Sequence, residues 1–452
     1  MILQDCSPRK LGVSSVEYRD GQQSLLGTRI RGEDFYPILE QVDKIGFASV
    51  EMWGGATFDV AMRYLNEDPW NRIREFKKRM PRTPLRMFLR GQNLVGYRQY
   101  PDDIVEHFVL AAASAGIDIF LIFDGLNDVR NCEAAIRAVK KAGKTAHGNI
   151  IYTVSPVHTV ETFVNIALDF QKLGVSAVQV EDTAGSMTPG AAYDLISALK
   201  KALDVPVLLQ CHSTAGMAQL AYWEAIRAGV DGVDLDIAAL SMGTSHPPME
   251  SMIVALKDSP IETGISLEQL APINAHFKML REKYKEFESK FVGADVGVLQ
   301  HQVPGGMMSN LELQLRQMKA SNRIDEILQE VVNVRRDLGY PPLATPFSQI
   351  VGAQATVNVM TKARYKMMST EAKELVCGRY GRVPGKIADE VYKAVMINRE
   401  PITCRPADLI EPAYEKTRAE CAGFARTEED ILSYALFPNI AEPFLKAKYG
   451  IK

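Results

Sequence analysis

Polar residues that could carry chemistry follow short apolar runs in the first half of this 452-residue sequence. Four of them combine carboxylate, amide and imidazole groups: Asp20, Glu181, Gln210 and His212. Gln210 and His212 are two residues apart, so both project to one face of a strand. Together the four could hold a divalent cation, and the oxygen-rich set favours Mg²⁺ or Mn²⁺ over Zn²⁺. The spacing equally allows a ring of hydrogen-bonded polar side chains without an ion.

Two arginines in similar positions could bind an anionic substrate. Arg19 and Arg90 each follow an apolar run, and a guanidinium can hold a carboxylate through two parallel hydrogen bonds. The alternative for each arginine is a salt bridge to a neighbouring carboxylate, from Asp20, Asp59 or Asp124.

Two histidines carry a weaker signal. His158 lies in the sequence SPVHT and His246 in GTSHPP, which are both typical of loops. Histidines in such segments more often cap or support a loop than bind a ligand, so neither is predicted to be part of the site.

The elements that must position these residues form a regular series. Eight runs rich in apolar and β-branched residues occur at 11–18, 47–53, 85–89, 117–123, 149–154, 176–180, 206–210 and 231–237. Helix-like stretches separate them, such as 34–45, 101–115, 132–141, 160–173, 190–203 and 217–228. Runs that are apolar throughout are typical of strands covered on both faces.

Eight such units predict an α/β fold, a (β/α)8 barrel whose catalytic groups lie at the carboxyl ends of the strands. A doubly wound sheet is the alternative, but no glycine-rich dinucleotide motif follows a strand.

The sequence changes character from about Leu267. Charged and apolar residues alternate with helical spacing at 267–290, 310–317, 324–338, 371–375, 386–398 and 426–434, and Gly and Pro separate these stretches. We expect a barrel over residues 1–266 and a mainly helical C-terminal domain over residues 267–452. That domain is predicted to pack on the barrel mouth and to complete the active site.

Composition excludes several classes of protein. With 52 Lys and Arg against 55 Asp and Glu, the net charge of -3 argues against a nucleic-acid binder. Six cysteines without a Cys-x-x-Cys pair favour free thiols and a cytoplasmic location. No apolar run of 18 residues is present, so no membrane span is predicted.

Eight longer motifs resemble a known family. They are YRDGQQSLLGT (18–28), EMWGGATFD (51–59), FLRGQNLVGY (88–97), FDGLND (123–128), YTVSPVHT (152–159), VPGGMMSN (303–310), TPFSQIVG (345–352) and RPADL (405–409). In this order, they resemble the biotin-dependent carboxyltransferase family, which includes the carboxyltransferase domain of pyruvate carboxylase, the oxaloacetate decarboxylase α subunit and the oxo-acid subunit of transcarboxylase. The resemblance covers residues 12 to 445.

The resemblance implies an activity and a set of roles. Such proteins move CO2 between carboxybiotin and a 2-oxo acid, such as pyruvate or oxaloacetate, through an enolate. Asp20 would ligate a metal ion together with His212, and Thr345 would carry a proton between biotin and the enolate. The residues implied to bind the oxo acid are Arg19, Gln23, Asp59, Arg90, Gln92, Tyr97 and Ser348.

Three positions depart from the family pattern. Glu181 stands where the family has a carbamylated lysine that ligates the metal, Gln210 stands where it has a histidine, and Leu121 stands where it has an arginine. Glutamate is shorter than the modified lysine by roughly 3 to 4 Å. The ion is therefore expected to shift, to bind through water or to be absent.

These departures leave three hypotheses open. The first is a carboxyltransferase with a modified Mg²⁺, Mn²⁺ or Zn²⁺ centre. The second is a barrel lyase or decarboxylase that acts on another acid, and the third is a catalytically silent assembly subunit. The family's biotin attachment sequence, Ala-Met-Lys-Met, is absent. The resemblance therefore implies a separate biotin carrier protein, a biotin carboxylase subunit and a homodimer.

Overall fold

The computed structural model of this protein describes residues 3, 7–288, 293–397 and 399–451. Cys6, Asn398, Lys452 and the predicted helical residues 289–290 lie outside the described residues, as does the side chain of Asn310.

Eight parallel strands close into a barrel in chain order. They are β1 (Gly12–Ser15), β2 (Ser49–Gly54), β3 (Leu85–Leu89), β4 (Ile119–Phe123), β5 (Thr145–Ile151), β6 (Ala177–Asp182), β7 (Val207–Cys211) and β8 (Gly232–Leu235). The barrel closes where Gly12 of β1 pairs with Gly232 of β8. Each predicted apolar run overlaps one of these strands, which confirms the (β/α)8 barrel.

The first strand ends three residues earlier than its sequence pattern predicts. After Ser15 the chain enters a widened helical turn, Glu17–Gly21, in which the N–H groups of Arg19, Asp20 and Gly21 all point at the carbonyl of Val16. Arg19 and Asp20 therefore lie on a helical turn above the barrel rather than on a strand.

Helices cover the outside of the barrel. They are α1 (Gly32–Val42), α2 (Pro69–Arg79), α3 (Asp102–Ala115), α4 (Glu133–Lys141), α5 (Val160–Leu173), α6 (Pro189–Ala202), α7 (Ala218–Arg227) and α8 (Met249–Leu256). The hydroxyls of Thr159 and Thr188 cap α5 and α6. Arg9–Lys10 and Ile261–Glu262 pair in a separate two-stranded sheet.

Further helices follow the barrel. Besides the single turn Val298–His301, the described residues there form α-helices of seven or more residues. They are α9 (Leu267–Lys283), α10 (Gly305–Gln317), α11 (Ile324–Asp337), α12 (Phe347–Thr361), α13 (Thr370–Val376), α14 (Asp389–Met396), α15 (Tyr414–Glu420), α16 (Glu428–Leu436) and α17 (Pro438–Tyr449). This confirms a mainly helical C-terminal region. The division at residues 266 and 267 stays a prediction.

Two hydrophobic cores hold the chain together. Residues between Val303 and Val395, together with Leu126 from the loop after β4, form one core, largely from α10 to α14. α9, α16 and α17 instead share the core of the barrel: the ring of Phe277 lies 5.3 Å from that of Tyr18, and Trp70 Nε1 donates to Ser433 Oγ at 2.9 Å. The last helices therefore pack on the flank of the barrel, whereas α10 and α12 cover its mouth.

The predictions of free thiols and of no membrane span can be compared with the described residues. Cys132, Cys211, Cys377, Cys404 and Cys421 are free thiols. Within the described ranges, no helix has both the length and the apolar composition that a membrane span requires.

Candidate active site

A cavity of about 820 Å³ lies between the barrel mouth and the helices above it. It is lined by nine residues that the sequence nominated: Arg19, Asp20, Gln23, Arg90, Tyr97, Glu181, His212, Thr345 and Ser348. Apolar side chains complete its wall, among them Phe88, Phe123 and Met307. The opening is thus neither filled by side chains nor wholly polar, as a site for a small organic acid requires.

Three buried side chains converge at the floor of this cavity, where Asp20 and His212 line it and His246 lies behind them. Asp20, His212 and His246 each offer one ligand atom, and these atoms all lie within 4.8 Å of one another. The Nε2 atoms of both histidines lie 3.6 Å from Asp20 Oδ2. We call these three residues the Asp20 cluster.

Hydrogen bonds indicate the tautomer of both histidines. His212 Nδ1 lies 2.6 Å from the carbonyl oxygen of Thr244, and His246 Nδ1 lies 2.9 Å from Asp236 Oδ2. A carbonyl or carboxylate oxygen can only accept, so each Nδ1 carries a proton and each Nε2 is the nitrogen that faces Asp20. Metal-binding histidines in proteins have this arrangement.

No sequence pattern indicates His246. The loop that follows β8 reaches Asp20 only because the barrel closes and places β8 beside β1. His246, which was expected from the sequence to be a loop or capping histidine, thus lies against Asp20, whereas His158 bonds within its own loop, to Ser155 at 2.6 Å.

Gln210 lies beneath the cluster and presents its nitrogen to it. Gln210 Nε2 donates to Asp20 Oδ2 at 2.7 Å and lies 2.9 Å from His246 Nε2. Its oxygen accepts from Gln179 at 2.9 Å, and the oxygen of Gln179 accepts in turn from Arg86 at 3.3 Å. The oxygen that was predicted to be a metal ligand is thus directed away from Asp20.

Glu181 lies close to Asp20 but outside the cluster. Its carboxylate accepts a hydrogen bond from Asn149 Nδ2. Burial, and then the charge of Asp20, raise the pKa of Glu181 to about 8. A role of Glu181 as a metal ligand stays a prediction.

The charges around Asp20 favour a cation. Burial alone would raise the pKa of Asp20, but Arg19 and His212 outweigh burial and hold that pKa well below its usual range. Burial would lower the pKa of His212, yet Asp20 raises it to about 9. At that pKa, His212 Nε2 carries a proton towards Asp20, and a divalent cation held by the carboxylate and the two imidazoles would displace that proton.

The two candidate arginines differ in their partners. Arg19 is bound to carboxylates, with Nε 2.6 Å from Glu51 Oε1 and Nη2 3.2 Å from Asp20 Oδ2. Arg90 donates to the carbonyl oxygens of Val95 and Gly96 at 2.8 and 2.9 Å, and it forms no ion pair with any described residue. Burial lowers the pKa of Arg90. Only Arg90 therefore has a charge left for a substrate.

Two nominated residues lie behind the cavity wall and support it. Asp59 pairs with Arg63 at 3.3 Å. Gln92 donates to the carbonyl oxygen of Tyr100 and to Asp102, which Arg405 also binds at 2.7 Å. A direct contact of either residue with substrate stays a prediction.

We call the helical segment from Val303 to Val395, which lies over the barrel mouth, the roof. It places Thr345 and Ser348 over the cavity floor. Both lie at the start of α12, next to the loop that follows β4. A Cβ atom on Gly125 in that loop would lie 2.6 Å from the Phe347 ring and 3.2 Å from the Thr345 carbonyl oxygen. Glycine at 125 thus allows the close contact that sets the position of Thr345.

Comparison with known proteins extends these observations. Residues 103–276 match a family model described as HMGL-like, and residues 298–451 match one described as a conserved carboxylase domain. The chain is 51% identical over 435 residues to a subunit of the pyruvate carboxylase of Methanocaldococcus jannaschii, covering 95% of this chain and 77% of that one. It is 45% identical over 446 residues to the methylmalonyl-CoA carboxyltransferase 5S subunit of Propionibacterium freudenreichii subsp. shermanii, covering 97% and 88%.

A solved structure shows the same architecture. The carboxyl transferase domain of Rhizobium etli pyruvate carboxylase, with pyruvate and biocytin, matches with a TM-score of 0.93 at 31% identity, covering 99% of this chain and 79% of that one. Barrel and helical roof are therefore both shared with these proteins. This chain belongs to the carboxyltransferase family of biotin-dependent enzymes.

Proposed function

We propose that this protein is a carboxyltransferase subunit that moves CO2 between carboxybiotin and a 2-oxo acid through an enolate. The observation that carries the proposal is the buried guanidinium of Arg90, which lacks a carboxylate partner among the described residues and lines a cavity with the Asp20 cluster on its floor and Thr345 in its roof.

Arg90 binds the carboxylate of the oxo acid in this proposal, and Gln23 and Tyr97 line the same part of the cavity. The keto oxygen then faces the Asp20 cluster. A divalent cation bound there would withdraw electrons from the keto group and stabilise the enolate. Fixed positive groups stabilise a developing negative charge best where water is excluded, and the apolar wall provides that environment.

Thr345 moves the proton. Its hydroxyl passes a proton from the methyl carbon of the oxo acid to the ring nitrogen of biotin, from which CO2 departs. The enolate carbon then forms a bond to CO2, so that pyruvate and carboxybiotin give oxaloacetate and biotin. Ser348 lies one helical turn from Thr345 and lines the same cavity.

Pyruvate is the acid that the charges match best. Arg19 is engaged by Glu51 and Asp20, so among the described side chains that line the cavity one guanidinium is left for one carboxylate. The second carboxylate of 2-oxoglutarate, which unlike that of oxaloacetate is not the transferred group, would find no free guanidinium among the described side chains there. The relatives named above include a subunit of a pyruvate carboxylase.

Biotin must reach the cavity from elsewhere. The 452 residues contain no Ala-Met-Lys-Met sequence, so we propose that the biotin used here is attached outside these residues, on a carrier protein that a biotin carboxylase charges. A homodimer and a cytoplasmic location also stay predictions.

Replacement of Thr345 tests the proposed function. We expect Thr345→Ala to lower carboxyl transfer between oxaloacetate and biotin by about 100-fold or more, because a positioned proton carrier contributes at least that much. Thr345→Ser keeps a hydroxyl and should retain most of the activity. Pyruvate affinity measured by calorimetry should be unchanged in both variants. Undiminished transfer by Thr345→Ala would contradict the proposal.

A further inference from the structure

We propose that His246, rather than Gln210, completes the metal centre of this protein, so that Asp20, His212 and His246 bind one divalent ion of the Zn²⁺ class. The catalytic use of that ion rests on the proposed function, but its binding does not. The family pattern has a histidine at position 210 in addition to the one at position 212. In this protein, the loop after β8 supplies the additional imidazole instead.

The spacing of the three ligand atoms matches such a site. Metal bonds of about 2.0–2.1 Å at tetrahedral angles place neighbouring ligand atoms roughly 3.3–3.4 Å apart. Both Nε2 atoms lie 3.6 Å from Asp20 Oδ2. All three ligand atoms lie within 4.8 Å of one another, so an ion can be bound if the two imidazoles move closer together.

The surroundings hold His246 in the orientation of a ligand. Asp236 accepts from His246 Nδ1 at 2.9 Å, and Ser245 Oγ donates to the same carboxylate. A Cβ atom on Gly21 would lie 2.6 Å from Asp236 Oδ1, so glycine at 21 leaves the space that Asp236 occupies. A carboxylate behind a histidine raises its basicity and fixes its ring, as in known metal sites.

Hydrogen bonds hold Gln210 so that its side-chain nitrogen, and not its oxygen, faces Asp20. Gln179 donates to the oxygen of Gln210, and Arg86 donates to the oxygen of Gln179. Turning the Gln210 amide to offer its oxygen to an ion would bring two amide nitrogens together and break that chain. When an ion binds, Gln210 gives up its contact with His246 Nε2 and continues to donate to Asp20.

The change of ligand also changes the preferred ion. The four ligands predicted from the sequence, Asp20, Glu181, Gln210 and His212, are rich in oxygen and favour Mg²⁺ or Mn²⁺. The Asp20 cluster offers two imidazole nitrogens and one oxygen, and imidazole suits Zn²⁺ and similar ions better than Mg²⁺. Three protein ligands are also the usual number in catalytic zinc sites, which leaves one position for substrate.

Metal content gives the test, without reference to turnover. The protein is stripped with a chelator, reloaded with Zn²⁺ or Mg²⁺, and analysed by mass spectrometry of its metals. We expect one equivalent of Zn²⁺ and little Mg²⁺ in wild type. His246→Gln should lower zinc affinity by more than 10-fold, whereas Gln210→Met and the matched control His158→Gln should keep one equivalent. The visible spectrum of the Co²⁺-loaded protein should change only in His246→Gln.

A reciprocal exchange keeps the test valid if His246→Gln folds poorly. The side-chain tips of Gln210 and His246 touch each other and Asp20. The double variant Gln210→His with His246→Gln places the imidazole at position 210, where it also contacts Asp20 Oδ2. It should therefore restore zinc binding.

Three results would overturn the proposal: folded wild type that binds no zinc, His246→Gln with wild-type zinc affinity, or loss of zinc in Gln210→Met alone. Zinc bound through His246 in a protein that transfers no carboxyl group would instead contradict only the proposed function. Thr345→Ala, which should lose transfer and retain zinc, separates the two.

Discussion

At the scale of single residues, Arg90 is the clearest sign of a ligand. Its guanidinium is buried and hydrogen-bonded to two carbonyl oxygens, yet no carboxylate among the described residues pairs with it. Burial of an unpaired charge is costly. A substrate carboxylate would pair with the guanidinium and remove that cost, so binding of the substrate would neutralise the buried charge of Arg90.

Replacement of Arg90 should therefore weaken binding of the oxo acid. We expect Arg90→Ala to weaken pyruvate binding, making its binding free energy less favourable by about 1.5–3 kcal/mol. This is the usual contribution of a charged hydrogen bond. Calorimetry measures this directly. Arg98→Ala removes an exposed arginine beside Tyr100 and should leave affinity unchanged. Equal affinity of wild type and Arg90→Ala would rule out Arg90 as the carboxylate-binding group.

Sequence alone predicted part of the site at this scale. Asp20 and His212 could be found because catalytic groups of a barrel follow its strands. Arg19 and Arg90 could not be distinguished, because the carboxylate that engages Arg19 most closely, Glu51, comes from another strand. His246 was missed because its loop gains a role only through the contact with Asp20.

At the scale of elements, the contact between Gly125 and Phe347 joins the barrel mouth to α12. The ring of Phe347 occupies the space where any other residue at 125 would place its Cβ atom. Thr345 lies two residues before that ring, so its position over the floor depends on this contact.

Gly125→Ala should therefore disturb catalysis more than stability. The added methyl group displaces the Phe347 ring, and a shift of about 1 Å in a reacting group can cost on the order of 100-fold in rate. We expect a fall of at least 10-fold in the rate of carboxyl transfer, measured with oxaloacetate and biotin.

Two variants control this prediction. Gly190→Ala adds a methyl group where no atom lies within 4 Å and should retain full activity. Gly125→Ala combined with Phe347→Leu removes the clashing ring carbons and should recover part of the lost rate. A normal rate in Gly125→Ala alone would show that this contact does not position Thr345.

The elements themselves were partly predictable. The barrel strands were found because they are apolar throughout and regularly spaced. α12 was missed because it is buried on nearly all sides and shows no amphipathic period. The widened turn at Glu17–Gly21 was read as strand because its N–H groups turn to Val16, which no local sequence pattern reveals.

At the scale of the whole molecule, Arg335 fastens the roof to the barrel. From α11 it donates to Thr153 Oγ1 at 2.7 Å and to Gln302 Oε1 at 3.1 Å. Burial lowers the pKa of Arg335 to about 10. Thr153 follows β5, so this one side chain links the core of the roof to the mouth of the barrel.

Arg335→Met should loosen the roof and leave the barrel intact. We expect faster hydrogen exchange in residues 303–361 and a higher KM for the oxo acid, because Thr153 and Gln302 each lose a hydrogen bond from Arg335. Exchange in β1 to β8 should not change. Arg336→Met, which alters a half-exposed residue paired with Asp337 at 3.1 Å, is the matched control. Equal exchange in both variants would contradict this role of Arg335.

The division into two hydrophobic cores has an evolutionary consequence. The residues that handle the keto group belong to the barrel, while Met307 and Leu311 belong to an upper body with its own core, which Leu126 joins to the barrel. Mutations in that upper body can reshape the space around the acceptor's tail without disturbing the groups that hold its charge. Lineages of this enzyme can thus diversify their choice of acid while inheriting the same chemistry.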